Sequence, residues 1–374
     1  MPAKKILLVA NTAWNLWNYR RALIGKILEA GYDVVLAAPP DRFQQQLQDR
    51  FSVRFVPLKH LSRRSFSILK NVRFIWECCR LYRRERPDLV LLFTIKPNIL
   101  GNIAARLIGI STLSVIEGLG YSGTHAARWR WLAAPLYRLA LKHQGKVVFL
   151  NHADRQAFCE HKLVKPDQTL LIHGPGVDTE YFKAAHHTNS EKVVFLYCSR
   201  LLIEKGIREF VEAARKMKQL HNNLEFHVLG DPDPGNPATL TETELQAWKR
   251  QQIVQFFSSV DDVRPYLAQA DVLVLPSYYR EGVPRTVLEA MAMEKIIVTT
   301  EMPGCRDTVE EGENGFLVLP KNVDALIEAM QKICTSTPEN RRQMGAYSRQ
   351  KVLQEFSDQQ ILPQYLNAIK SLTT

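Results

Sequence analysis

The sequence predicts an α/β protein made of two Rossmann-like domains, each with a parallel sheet between layers of helices. Three observations support this prediction. A chain of 374 residues is too long for one ordinary hydrophobic core. Short, continuous apolar runs alternate with segments of helical periodicity, which is typical of buried strands in a doubly wound sheet. The alternation stops in the polar, Gly- and His-containing segment 174–192 and then starts again.

Six candidate strands precede this break. Their ranges are 5–10, 33–38, 53–58, 88–93, 112–116 and 146–150. Most are apolar throughout rather than alternating, so we expect helices to cover both faces of the first sheet. We assign residues 1–175 to a first domain.

Six further candidate strands follow the break. Their ranges are 192–200, 224–230, 252–257, 271–277, 296–300 and 316–320. We assign residues 176–360 to a second domain, and we expect 361–374 to be a C-terminal helix that packs back towards the first domain. Open α/β sheets bind ligands beyond the carboxyl ends of their strands, so the loops at those ends are the places to search for a site.

Composition argues against several classes of protein. The hydrophobic content of 46% is ordinary for a globular protein. The apolar run 89-LVLLFTI-95 ends at Lys96, far short of the ~20 residues that a membrane span needs. The apolar stretch in 4–15 is short for a signal peptide and predicts a first strand instead. Six cysteines show neither a metal-ligand spacing nor a secreted disulfide pattern, which favours a cytoplasmic protein with reduced thiols.

The net charge of +11 is distributed unevenly along the chain. Residues 1–175 hold 27 Lys and Arg against 11 Asp and Glu, a net charge of +16, whereas residues 176–374 hold 22 against 27, a net charge of −5. A basic half indicates an anionic partner: nucleic acid, an anionic membrane surface or a phosphorylated substrate. A basic but unoccupied surface is the alternative.

The segment 280-REGVPRTVLEA-290 places two glutamates around the start of a predicted helix. We expect this helix to begin near Pro284, because proline suits the first helical position. The N–H groups of Arg285, Thr286 and Val287 would then form an anion-sized concavity at the positive end of the helix dipole. Glu281 and Glu289 flank it, which suits a ligand with hydroxyl groups on both sides of a phosphate. Alternatively, the two glutamates are only a loop charge and a surface helix residue.

Two other loops of the second half complete a possible diphosphate site. In 199-SRLLIEKGIREF-210, Arg200 and Lys205 flank a turn, and Gly206 opens a helix. The segment 302–318 follows the fifth strand of this half. Two cations and two helix amino termini at one sheet edge would hold a diphosphate through charged hydrogen bonds. Arg200 by itself could equally form an ion pair at the end of its strand.

With these motifs, the chain from about residue 5 to 370 resembles glycosyltransferase family four. The matching residues are Arg200 and Lys205 in SRLLIEKGIREF, the spaced glutamates of EGVPRTVLE, and 314-NGFLV-318. The resemblance implies the GT-B fold, in which two Rossmann-like domains face each other across a deep cleft, and retaining chemistry. Within the family, 94–109, 118–124, 173–182 and 235–239 are similar to bacterial enzymes that extend a saccharide on a polyprenyl diphosphate from a UDP-sugar.

The resemblance also implies roles for the site residues. Arg200 and Lys205 would neutralise the leaving diphosphate in place of a metal, so no cofactor is expected. Glu281 would accept hydrogen bonds from hydroxyls of the donor sugar, and Glu289 would bind the ribose. The backbone of the following residues would approach the phosphates: Gly282, Val283, Pro284, Arg285 and Thr286.

Two features depart from these expectations or compete with them. Many relatives carry a histidine after the strand that matches 112–116, whereas this chain has Glu117 there, which either contacts donor or acceptor or is structural; His125 is a weaker candidate. The aspartates of 231-DPDPG-235 have the Asp-x-Asp pattern of a Mg²⁺ site. The alternating prolines favour a turn instead, and we expect no essential metal.

The resemblance gives the basic first half a possible purpose. Segments 60–86 and 127–143 interleave Arg and Lys with aromatic and aliphatic residues, as expected of a surface on anionic lipid; ordinary amphipathic packing is the alternative. We therefore expect a cytoplasmic enzyme, peripheral on the inner face of the membrane. Arg20 would meet the acceptor diphosphate or pair with a nearby carboxylate.

Two rival functions are a nucleic-acid-binding protein, although the sequence shows no recognisable binding module, and a nucleotide-sugar epimerase or hydrolase of the same fold.

Overall fold

A computed structural model describes residues 3–62, 67–118, 126–142, 145–184 and 192–373, with only the backbone for 126–133. Its contacts divide the described chain into two units. The first contains the described residues up to Pro175 together with the C-terminal helix, and the second contains those of Gly176–Ser357.

The first unit is a parallel sheet with helices packed against it. Its strands lie in the order β3-β2-β1-β4-β5-β6-β7. They are β1 (Lys5–Val9), β2 (Asp33–Ala38), β3 (Arg54–Pro57), β4 (Leu89–Phe93), β5 (Thr112–Ile116), β6 (Gly145–Phe149) and β7 (Thr169–Leu171). The helices are α1 (Ala13–Glu29), α2 (Phe43–Phe51), α3 (Ile68–Glu85), α4 (Asn102–Ile108), α5 (Ala126–Leu141) and α6 (His152–Glu160).

The second unit repeats this architecture with the strand order β10-β9-β8-β11-β12-β13, again all parallel. The strands are β8 (Val193–Cys198), β9 (Leu224–Leu229), β10 (Gln255–Phe257), β11 (Val272–Leu275), β12 (Ile296–Thr300) and β13 (Gly315–Val318). The helices are α7 (Ile207–Leu220), α8 (Glu242–Gln251), α9 (Arg264–Gln269), α10 (Arg285–Ala292), α11 (Val323–Thr335) and α12 (Pro338–Glu355).

Burial explains why the strands are continuous apolar runs. Successive residues of β1 face opposite sides of the sheet, so Ile6 and Leu8 belong to one core cluster and Leu7 and Val9 to another. Both clusters are closed by helices, and every residue of β4 and β5 is buried. The predicted α/β class with two parallel sheets is confirmed.

Several boundaries differ from the sequence prediction for local reasons. The predicted strand 252–257 begins only at Gln255, because α8 runs to Gln251 and Gln252 caps it in the left-handed conformation (φ 53°). The three-residue strand β7 was not predicted. The last helix, α13 (Asp358–Thr373), starts earlier than residue 361, because Ser357 still forms a parallel bridge to Val177 within the second unit.

Helix α13 joins the core of the first unit. Ile361, Tyr365 and Ile369 are buried in the same cluster as β1. Among the described residues, no helix is both long and apolar enough to cross a membrane. Of the predicted basic segments, 63–66, the side chains of 127–133 and His143 lie outside the described residues, as do His125 and 119–124.

Candidate active site

The strand order of the second sheet identifies the edge at which a ligand is expected to bind. In the second sheet the connections run outward in opposite directions from β8 and β11, which lie side by side. Such a switch point leaves a crevice beyond the carboxyl ends of the two strands. The loop after β8 carries Arg200 and Lys205, and the loop after β11 carries Glu281. The sequence therefore places its candidate residues at the switch point.

Lys205 and Glu281 form an ion pair at this edge. The Lys205 Nζ contacts Glu281 Oε1, although 76 residues separate them along the chain. Only 11% and 12% of the two side chains are exposed, so the pair is largely shielded from water. The Ser277 hydroxyl lies 3.2 Å from the same carboxylate oxygen, and the Tyr279 ring centroid lies 5.0 Å from Nζ. In this state the two residues neutralise each other.

Backbone contacts between the two loops hold this pair in register. The N–H groups of Tyr278 and Tyr279 both donate to the carbonyl of Glu204, at 2.9 and 3.0 Å. Gly206 has φ +79°, and a Cβ built on it would lie 2.2 Å from the carbonyl oxygen of Pro276. Only glycine permits this conformation and this close approach together.

A third loop, after β12, supports Glu281 from another side. Gly304 has φ +81°, and a Cβ on it would lie 1.9 Å from the Gly282 carbonyl oxygen. The segment 302–318 was predicted to contribute to the diphosphate site. At Gly304 its role is structural, because its Pro-Gly turn packs against the backbone that carries Glu281. The buried Asn314 fixes the rest of the loop by donating to the Thr308 carbonyl and accepting from the Glu310 N–H.

Arg200 forms the strand-end ion pair that the sequence left open as an alternative. Its Nη1 lies 2.6 Å from Asp233 Oδ2. The Arg200 side chain is 45% exposed, so a ligand phosphate has access to it without unfolding the loop. Asp231 accepts hydrogen bonds from the N–H and the hydroxyl of Ser259. Both aspartates of the DPDPG segment thus have protein partners, and among the described residues no group of three potential metal ligands converges.

The start of α10 differs from the prediction in two details. Pro284 is the N-cap residue (φ −68°, ψ 118°) rather than the first helical residue, and the helix begins at Arg285. The N–H of Val287 donates to the Pro284 carbonyl at 3.1 Å, so it is not part of an anion concavity as predicted. The helix amino terminus remains beside Gly282 and Val283, with the dipole favouring negative charge there.

Glu289 is largely but not completely buried on α10, with 15% of its side chain exposed. Its Oε1 accepts from Arg285 Nε at 2.9 Å, one helical turn away. Burial raises the pKa of the Glu289 carboxyl above its ordinary value of 4.5, and the charge and hydrogen bond of Arg285 offset only part of this effect.

Glu117 lies in the first unit, directly after β5. It forms an ion pair with Arg20 of α1, whose side chain is only 2% exposed. The Arg20 guanidinium also lies 4.3 Å from the Phe93 ring centroid, at the end of β4. Of the two alternatives for Arg20, the structure shows the pairing with a carboxylate.

Three contributors to the site were not predicted from the sequence: Ser277, Asp233 and Gly304. Ser277 and Gly304 follow β11 and β12, as does the loop residue Glu281, so their position at strand ends was an available signal. Asp233 was considered as a metal ligand or a turn residue, but not as a partner of Arg200. Together, a paired cation and carboxylate, a half-exposed arginine and a helix amino terminus suit binding of an anion that carries a hydroxyl-rich group.

Comparison with known families gives two matches that together span most of the chain. The family model described as "Glycosyl transferases group 1" matches residues 178–351. The family model described as "Glycosyl transferase 4-like domain" matches residues 16–175.

Two curated bacterial relatives match over most of both chains. A Campylobacter jejuni protein is 25% identical over 87% of this chain and 88% of its own length; its name is N,N'-diacetylbacillosaminyl-diphospho-undecaprenol alpha-1,3-N-acetylgalactosaminyltransferase. An Escherichia coli protein is 26% identical over 83% of this chain and 81% of its own length; its name is UDP-Gal:alpha-D-GlcNAc-diphosphoundecaprenol alpha-1,3-galactosyltransferase.

Solved structures share the fold over nearly the whole chain. Anabaena HepE in complex with UDP and glucose has a TM-score of 0.78 at 18% identity, covering 98% of this chain and 100% of that one. Sucrose-phosphate synthase from Thermosynechococcus elongatus has a TM-score of 0.81 at 20% identity, covering 99% of both chains.

Proposed function

This chain belongs to the glycosyl transferases group 1 family, with a glycosyl transferase 4-like domain in its amino-terminal half, and we propose a specific reaction for it. It moves a hexose or N-acetylhexosamine from a UDP-sugar to a saccharide on polyprenyl diphosphate, with retention of configuration. The product is part of a bacterial surface glycan such as O-antigen, capsule or a glycoprotein glycan. The names of the two relatives support the acceptor, and the HepE complex supports the donor.

The observation that carries this proposal is the Lys205–Glu281 pair at the switch point of the second sheet, beside the amino end of α10. A nucleotide sugar offers a partner to each member: a diphosphate for the ammonium and sugar hydroxyls for the carboxylate. Donor binding exchanges one internal ion pair for two charge-assisted contacts.

The donor phosphates lie, in this proposal, against the backbone from Gly282 to Thr286, at the positive end of the α10 dipole. Arg200 and Lys205 neutralise the charge that develops on the diphosphate as the glycosidic bond breaks. Stabilising a leaving group in this way needs no metal, because the two side chains supply the positive charge themselves.

Glu289 receives the ribose hydroxyls of the donor. Its largely buried carboxylate accepts a hydrogen bond from Arg285 on one oxygen, and ribose hydroxyls would supply further donors. Glu117 lies in the first unit at a strand end and is proposed to contact donor or acceptor. Its 24% exposed side chain remains reachable while it pairs with Arg20.

The enzyme acts from the cytoplasm, as a peripheral protein on the inner face of the membrane, because its acceptor is anchored there by a polyprenyl chain. No metal cofactor and no nucleic acid takes part in the proposed reaction.

The test is to incubate the purified protein with a panel of UDP-sugars and a short-chain polyprenyl diphosphate saccharide. We expect acceptor-dependent release of UDP, a glycolipid longer by one sugar, and an axial new linkage from an α-linked donor. Transfer should survive excess EDTA. Consumption of the UDP-sugar that is equally fast without acceptor would instead support an epimerase or hydrolase, and activity restored only by Mg²⁺ or Mn²⁺ would overturn the metal-free mechanism.

A further inference from the structure

A cavity of about 650 Å³ lies in the second unit, away from the candidate active site. It is found at the amino ends of three neighbouring strands, since Lys192 precedes β8, Asn222 precedes β9 and Gln252 precedes β10. Arg200 lies beyond the other, carboxyl end of β8. Because all strands of this sheet are parallel, the cavity and the candidate active site lie at opposite edges of the sheet. The proposed transfer reaction does not use this cavity.

Three lysine side chains converge on the cavity from three different elements. Lys192 precedes β8, Lys218 lies in the last turn of α7, and Lys249 lies in the last turn of α8. The helix dipole favours a basic residue in a last turn, which explains Lys218 and Lys249 one at a time. It does not explain why both meet Lys192 at one cavity, since like charges repel.

One carboxylate faces the three ammonium groups. Among the described residues that line the cavity, Glu225 of β9 is the only acidic one, and its Oε1 lies 2.8 Å from Lys192 Nζ. Within the described parts of the chain, Lys218 and Lys249 form no ion pair. With the histidines neutral, the wall therefore carries a net charge of +2 from three lysines and one glutamate.

The buried His227 gives a second, independent indication of a ligand. It lines the cavity, and its side chain is only 9% exposed. Its Nε2 lies 3.4 Å from Glu225 Oε2 but makes no hydrogen bond to any residue that the structure describes. Buried polar atoms are nearly always hydrogen-bonded, so this nitrogen indicates a missing partner. The wall also contains apolar side chains, among them Val254 and the partly buried Phe256.

We propose that this cavity binds a small phosphate monoester. The phosphate, with a charge of about −1.5 to −2 at pH 7, matches the positive wall and lies among the three lysines. Its organic part packs against Val254 and Phe256. The volume is within the range of about 300–1,000 Å³ that is typical of small-molecule sites. The bound anion displaces Glu225 from Lys192, and His227 Nε2 then gains the ligand as its partner.

The experiment is calorimetric titration of the full chain with phenyl phosphate and, separately, with inorganic phosphate. We expect saturable binding of both, tighter for phenyl phosphate because only the ester reaches the apolar part of the wall. Lys218→Ala with Lys249→Ala should weaken binding by at least about tenfold. Lys26→Ala with Lys332→Ala is the matched control, because these lysines also lie in last turns, of α1 and α11, but do not line the cavity.

Glu225→Gln tests the proposal in the opposite direction. It removes the carboxylate that competes for Lys192 and keeps its size, so phenyl phosphate should bind about three- to fivefold more tightly. Damage to the fold would weaken binding rather than strengthen it, and melting temperatures verify that every variant is folded.

The same titrations separate this site from the proposed donor site. Lys205→Ala should bind phenyl phosphate like wild type, whether or not the protein uses a UDP-sugar. A loss of binding in Lys205→Ala alone would place the anion at the carboxyl edge of the sheet and overturn the inference. So would the absence of saturable binding at millimolar concentrations, or unchanged affinity in both cavity variants. Equal affinities for the two probes would overturn the assignment of a monoester.

Discussion

At the scale of single residues, the ammonium of Lys205 and the carboxylate of Glu281 each compensate the charge of the other before a donor arrives. A largely buried charge is costly when its partner is removed, so the pair keeps the site poised without leaving either charge alone. The Arg200–Asp233 pair, with its half-exposed arginine, is less constrained.

Lys205→Ala should lower turnover by roughly 10²-fold or more, a loss of about 3 kcal/mol of transition-state stabilisation. The variant also leaves Glu281 without its cation, so the melting temperature without ligand must be measured alongside kcat. Lys216→Ala on α7 is the matched control, because that lysine forms an exposed ion pair with Asp324 and should have no effect on turnover. Normal turnover in a folded Lys205→Ala protein would contradict the assigned role.

Substitution of Glu281 and substitution of Glu289 should change different kinetic parameters. In the proposed function Glu281 contacts the sugar whose bond breaks, where contacts strengthen as charge develops, so Glu281→Ala should chiefly lower kcat. Glu289 is proposed to bind the distant ribose, which changes little during reaction, so Glu289→Ala should act mainly through the KM for donor. Steady-state kinetics with varied UDP-sugar distinguishes them. A kcat within about twofold of wild type for folded Glu281→Ala would show that this carboxylate has no catalytic role.

The proposed contact of Glu289 with the ribose should make donor affinity depend on pH. Its raised pKa means that the folded protein keeps a proton which the unfolded chain releases near 4.5. This contribution to stability is present below 4.5 and is lost as pH rises through the raised pKa. Ribose hydroxyls donate to the ionised form, so affinity for UDP-sugar should increase as pH rises through that pKa. Calorimetric titration should show this increase in wild type and a smaller one in Glu289→Gln; identical pH profiles would contradict it.

At the scale of elements, the loops after β8, β11 and β12 pack directly against one another, because Gly206 and Gly304 allow close contact between their backbones. Gly304→Ala and Gly312→Ala form a matched pair, since both glycines have φ +81°. A Cβ at 304 would lie 1.9 Å from the Gly282 carbonyl, whereas a Cβ at 312 meets nothing within 4 Å. Gly312→Ala should cost only the strain of its backbone, about 1 kcal/mol.

Gly304→Ala should cost more stability than Gly312→Ala and also lower kcat, because the backbone that carries Glu281 must move. Melting temperatures and kcat of both variants provide the measurement. Equal effects of the two substitutions would show that the contact between the third loop and Gly282 is unimportant.

Much of the element-level architecture could be predicted, because parallel strands buried on both faces are readable as continuous apolar runs. All twelve predicted strands exist, with ends shifted by a few residues. Strand β7 was missed because three residues after a Pro166 turn give no periodic signal. The partners of Arg200 and Lys205 could not be predicted, since Asp233 and Glu281 are 33 and 76 residues away and are brought there only by the fold.

At the scale of the whole molecule, each unit has its own core, and donor binding is proposed for the second. A ligand that binds only the native state must stabilise it, by about 2.7 kcal/mol at a hundredfold excess over Kd. UDP at millimolar concentration should therefore raise the melting temperature of wild type and raise it less in Lys205→Ala. A shift with an oligonucleotide and none with UDP would favour a nucleic-acid-binding function instead.

The placement of α13 has a consequence for synthesis. Ile361, Tyr365 and Ile369 complete the core of the first unit, yet the ribosome makes them only after the entire second unit. The second unit is thus an insertion within the first, and it can fold on the nascent chain while the earlier-made unit still lacks its closing helix. Until that helix docks, apolar surface beside α1 and β4 stays open to chaperones, and a stop codon before residue 358 would leave it open permanently.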